Sequence, residues 1–73
     1  MAIEPLKRAP SLYEMTLDSI RAAIIEGSIE LGDHLSEARV SRQFGISKTP
    51  VREALQELRR EGLVRIDPQS GTR

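Results

Sequence analysis

Gly45 separates two short stretches whose apolar residues recur at helical spacing, and this break limits the possible folds more than any other feature. Before it, Val40 and Phe44 stand four residues apart, behind Ser36, a residue type that caps helices. After it, Ser47 precedes Val51, Ala54, Leu55 and Leu58. Pro50 falls in the first turn of this second stretch, where backbone N–H groups lack partners in any case. The spacing predicts a helix over Glu37–Phe44, a sharp turn at Gly45, and a second helix capped by Ser47 and closed by Gly62. Close packing of two such helices requires a small residue between them, and Ser41 fits that place. Val40, Phe44, Ile46, Val51 and Ala54 are expected to be buried around the turn.

The remainder of the chain supplies one more helix and a strand. Ser11 with Glu14 forms a capping-box pair, and Leu12, Met15, Thr16, Ser19, Ile20, Ala23, Ile24 and Gly27 follow a 3.6-residue period. This stripe is expected to face the core, with Gly27 ending the helix. Ile29 to Leu35 reads as a short extended link turning at Gly32-Asp33. Leu63 to Asp67 reads as a strand, Pro68 to Gly71 as a turn, and Thr72-Arg73 as the start of a returning strand. A hairpin cut short leaves backbone groups open, so the chain is expected to be a fragment of a longer protein. Residues 1–10, with Pro5 and Pro10 and no periodicity, read as a flexible arm, and 11–73 as one domain. The fold class is therefore α+β, mainly α: three helices and a β-hairpin wing, truncated at its carboxyl end.

Seventy-three residues leave little room for a substrate cavity beside a core, since a domain of this size buries only about 60% of its unfolded surface. There is no cysteine, and no apolar run long enough for a membrane span or signal peptide. A cytoplasmic location is expected. His34, the one histidine, lacks acids or thiols at ligand spacing and reads as an exposed turn residue; no metal or cofactor is expected.

Formal net charge is zero, but it is unevenly distributed. Residues 9–38 hold six acids against Arg21, whereas residues 39–73 hold eight bases against four acids. From Ala38 to Arg52 there are four bases, Arg39, Arg42, Lys48 and Arg52, and no acid. A polyanion responds to that local field. Two helices joined by a glycine turn make a helix-turn-helix, whose second helix enters the DNA major groove by its amino-terminal half. That half carries Ser47, Lys48, Thr49 and Arg52. Lys48 and Arg52 suit guanine O6 and N7, or phosphate; the hydroxyls suit phosphates or base edges. Arg39 and Arg42 are candidates for the DNA backbone, and the turn at Gly71 for the adjacent minor groove. Lys7 and Arg8 reach DNA or are merely solvated, and Arg65 is open in the same way. The rival reading is a winged helix that binds protein. Enzymatic activity is not expected, because Ser47 and His34 lack a recognisable third partner.

The segment Ile46-Ser47-Lys48-Thr49-Pro50-Val51-Arg52-Glu53-Ala54-Leu55 closely resembles the GntR family of bacterial regulators, most of all its branch with a helical, acid-sensing FCD effector domain. Ile20 to Gly27, Leu31-Gly32-Asp33, Leu35-Ser36-Glu37, Glu61 to Val64 and Gly71-Thr72 extend the likeness over about residues 11 to 73. The resemblance implies a winged helix-turn-helix that binds a palindromic operator as a homodimer. It implies a small-molecule effector held by a carboxyl-terminal domain that this sequence lacks. Ser47, Lys48, Thr49, Arg52 and Gly71 carry over as DNA contacts. Lys48 stands where the family usually has arginine, which removes a planar fork from base reading. Ala38 stands at an often-arginine position, and Asp33 at a frequent glycine or proline-rich turn.

Overall fold

The computed structural model describes residues 10–67. Pro68 to Arg73, with Gly71 and the turn expected there, and the arm apart from Pro10 lie outside the described residues. The element order is α1 (Leu12–Glu26), β1 (His34–Leu35), α2 (Glu37–Phe44), α3 (Lys48–Arg60) and β2 (Arg65–Ile66).

Each helix begins where a side chain or an extended residue meets its open N–H groups. At α1 the capping box is complete: Glu14 N–H donates to Ser11 Oγ and Ser11 N–H to Glu14 Oε1, each at 3.0 Å. At α2, Arg39 N–H donates to Ser36 Oγ at 3.2 Å. Ser47 occupies the capping position of α3 in extended geometry, yet its hydroxyl makes no capping hydrogen bond. The Gly45 turn requires φ of +71°, and from it Gly45 N–H and Ile46 N–H both donate to the Ser41 carbonyl, at 2.8 and 3.1 Å.

Helix α3 forms the centre of the domain. Val51, Ala54, Leu55 and Leu58 along its inner face are fully buried, packed with Ile20 of α1, Val40 of α2 and Val64. Ser41, the small residue expected between α2 and α3, is buried, and its hydroxyl donates to the Ala38 carbonyl at 3.2 Å.

The described strands are shorter than the sequence reading and include a pairing it did not name, while the returning strand at Thr72-Arg73 lies outside the described residues. Within the described residues β2 pairs with β1, in parallel, with His34 opposite Arg65 and Leu35 opposite Ile66. Arg65 N–H donates to the Asp33 carbonyl at 2.8 Å and Asp67 N–H to the Leu35 carbonyl at 2.9 Å. The link after α1 and the segment after α3 leave the helices side by side, so each satisfies the other's ladder groups. The expected extended link shrinks to His34–Leu35, because Glu30 to Asp33 forms a turn. Asp33 N–H donates to the Glu30 carbonyl and Glu30 N–H to Asp33 Oδ2, which leaves Leu31 at the tip, 68% exposed. His34, expected in the turn, stands on β1 with Nδ1 3.0 Å from Asp67 Oδ1.

A second departure concerns the apolar end of α1. Thr16 and Ile20 are buried as the helical stripe requires, but Leu12 and Met15 are about half exposed. Phe44, expected in the core, is 41% exposed. These three line a shallow groove with Thr16, Ser19 and Ile46. Helix α2 ends at Phe44 and the chain turns away at Gly45, so no further α2 side chain reaches the first turns of α1. Phe44→Ala is therefore expected to cost about 1–2 kcal/mol, well short of the ~3–5 kcal/mol of a fully buried aromatic. Urea denaturation of the variant beside the parent chain checks this.

Candidate nucleic-acid interface

The α2–Gly45–α3 unit is a helix-turn-helix whose second helix offers one side to the core and the other to solvent. Val51, Ala54, Leu55 and Leu58 occupy the inner side; Thr49 lies opposite them, Lys48 and Arg52 lie at their border, and all three are exposed. Lys48 and Arg52 are four residues apart and so lie one above the other on the helix surface. Ser47, Lys48, Thr49 and Arg52 are all exposed, and the first turn of α3 contains no acid. The free Ser47 hydroxyl and the unpaired N–H groups of this turn add donors beside the two cations.

The acids toward the far end of α3 are paired with bases. Glu57 is hydrogen-bonded by Arg60, whose guanidinium holds its carboxyl below the usual carboxylate range. Glu61, beyond the helix, pairs with Arg21 of α1 at 2.6 Å. Much of the negative charge on this half of α3 is thus met by nearby guanidinium groups, while the amino-terminal edge remains cationic. Glu53 is exposed on the outer side, past Arg52.

On α2, Arg39 and Arg42 are both exposed. Arg42 stands in the last turn, where the helix dipole favours a cation. Arg39 borders a different groove, with Asp33, His34 and Ser36 on the β1 side of the domain. The α3 residues therefore form one edge, and Arg39 lies on a separate part of the surface. Arg65 is exposed on β2. Gly71 and Arg73 lie outside the described residues.

One participant was not singled out from the sequence. Arg52 Nε donates to both carboxylate oxygens of Glu37, at 3.2 and 3.3 Å. The Arg52 side chain remains 53% exposed, whereas that of Glu37 is 18% exposed. Nothing local in the sequence signals this pair, because its members are fifteen residues apart on different helices. Glu37 stands at the start of α2, where the positive end of the helix favours a carboxylate.

Comparison with known proteins gives the family of the chain. Residues 12–73 match the family described as "Bacterial regulatory proteins, gntR family". The chain is 43% identical over 53 residues to the HTH-type transcriptional repressor RspR of Escherichia coli K12, covering 73% of this chain and 23% of that protein. It is 42% identical over 48 residues to the gluconate operon transcriptional repressor of Bacillus subtilis, covering 66% of this chain and 20% of that one. It is 27% identical over 66 residues to the uncharacterized HTH-type transcriptional regulator YdhC of Bacillus subtilis, covering 90% of this chain and 30% of that one. The chain thus spans less than a third of the length of these relatives. No solved structure is matched.

Proposed function

The chain belongs to the gntR family of bacterial regulatory proteins and comprises its helix-turn-helix DNA-binding domain, and on that premise we propose that it is the operator-reading head of a metabolite-responsive repressor. The observation that carries this reading is the exposed edge formed by Ser47, Lys48, Thr49 and Arg52 at the start of α3, whose first turn holds no acid. With that end of α3 in the major groove, Lys48 and Arg52 donate to guanine O6 and N7 or to phosphate. Ser47 and Thr49 bond phosphates or base edges. Arg39 and Arg42 hold the DNA backbone, and the wing brings Gly71 over the minor groove.

In the whole protein two heads join as a homodimer, each reading one half-site of a palindrome. The remainder of the protein carries the effector site, an FCD bundle by the resemblance of the recognition segment, and the regulator works in the cytoplasm. Repression is supported by the names of two similar proteins, both transcriptional repressors.

Salt dependence tests the DNA reading directly. Arg39, Arg42, Lys48 and Arg52 give an expected log–log slope of affinity against salt between about −2, with Lys48 and Arg52 on base edges, and about −4, with all four on phosphates, at ~0.9 per neutralised phosphate. Anisotropy titrations of a labelled duplex between low and moderate salt provide the measurement. A slope near zero would overturn the proposed interface.

A further inference from the structure

The Arg52–Glu37 pair has an asymmetry that an ordinary surface ion pair lacks. A guanidinium clamped by a carboxylate usually commits Nε and one Nη together, in parallel hydrogen bonds. Here both Glu37 oxygens converge on Nε alone. Among the described residues no hydrogen bond engages Nη1 or Nη2 of Arg52, so the outer fork of the guanidinium remains whole. The anchoring carboxylate is largely covered and is fixed at the amino-terminal end of α2, while the arginine reaches past it into solvent.

We infer that Glu37 is a positioning residue for sequence reading: it holds Arg52 by Nε so that the free Nη fork is presented to a base edge in the major groove. This inference rests on the DNA interface proposed above and adds how that interface discriminates between sequences. A long arginine side chain loses rotamer freedom when it docks, and an existing anchor removes part of that loss. The fork is the geometry that guanine O6 and N7 accept, so a fixed fork sharpens base choice. The carboxylate also repels phosphate, which weakens complexes in which Arg52 finds no base to bond. Glu37 should therefore favour the correct sequence and oppose indiscriminate binding, the reverse of the effect of a cation at the same place.

The test uses two labelled duplexes of equal length, one enriched by the parent chain from a random library and one of random sequence. Affinities for both, and melting temperatures, are measured for the parent chain, Glu37→Gln, Arg52→Ala and the double variant. Glu37→Gln should weaken binding to the enriched duplex by about tenfold, a coupling typical of contacting residues. Its affinity for the random duplex should stay the same or rise. In the Arg52→Ala background the Glu37→Gln change should disappear. Equal weakening on both duplexes, unchanged discrimination, or an effect that survives without Arg52 would overturn the positioning role. Should Glu37→Gln fail to fold, Glu37→Asp, which keeps the charge and shortens the reach, is read by the same criteria. If Arg52→Ala loses discrimination while Glu37→Gln keeps it, only the positioning role fails. If the parent chain binds without salt sensitivity, the interface itself fails.

Discussion

Arg52→Ala is expected to weaken binding to a library-enriched duplex by roughly 10- to 100-fold while the domain stays folded. The estimate follows from the worth of one bidentate base contact, about 1–3 kcal/mol. Arg52 is half exposed and contributes nothing to the core, since the buried face of α3 consists of Val51, Ala54, Leu55 and Leu58. The stability lost with its ion pair to Glu37 should remain within the ~0.2–1 kcal/mol of exposed pairs. For a domain of this size that shifts the melting temperature by no more than about 4–8 °C. Binding to random duplex should fall much less, because one phosphate-competent cation among several is removed. An anisotropy titration in which the variant and the parent chain bind the enriched duplex equally well would remove Arg52 from the interface. It would also remove the reason for the edge at the start of α3.

The parts of this fold set by near neighbours were readable in the sequence, and those set by distant ones were not. Ser11 with Glu14, Ser36, Gly27 and Gly45 mark helix ends through contacts within four residues, and each marks the end expected of it. The inner face of α3 follows from a period of 3.6, and its four apolar residues are all buried. Phe44 shows the limit of such reasoning: periodicity assigns a side chain to a face but does not say whether another element covers it. The pairing of Arg65–Ile66 with His34–Leu35, found among the described residues, was hidden for a related reason. An apolar strand pattern does not name its neighbour, and His34–Leu35 is thirty-one residues earlier in the chain. Within the interface, the cations Lys48 and Arg52 were legible because local charge distribution outweighs a net charge of zero. Glu37 was not, because its significance arises only when α2 and α3 are packed together. Ser47 stands at the start of α3 as expected, but its hydroxyl is left free of the capping bond that its residue type suggests.

Leu55→Ala should produce the largest loss of stability and destroy DNA binding by a different route. Leu55 is fully buried within the cluster that joins α1, α2 and the segment leading to β2 through Ile20, Val40 and Val64. Truncating a buried leucine costs about 2–5 kcal/mol, from lost apolar burial and the cavity left behind. At about 0.05–0.15 kcal/mol per residue, the whole domain has roughly 4–11 kcal/mol to lose. The variant is therefore expected to melt tens of degrees lower or to be unfolded at room temperature, as read by far-ultraviolet circular dichroism during heating. Leu55 lies three residues after Arg52 on the same helix, so the two substitutions separate the two roles of α3. One removes an exposed group from a folded helix; the other removes the packing that holds this helix at a fixed angle to α2. If Leu55→Ala melts with the parent chain, the core is not centred on α3, and the placement of Lys48 and Arg52 at the border of its inner side loses its physical basis.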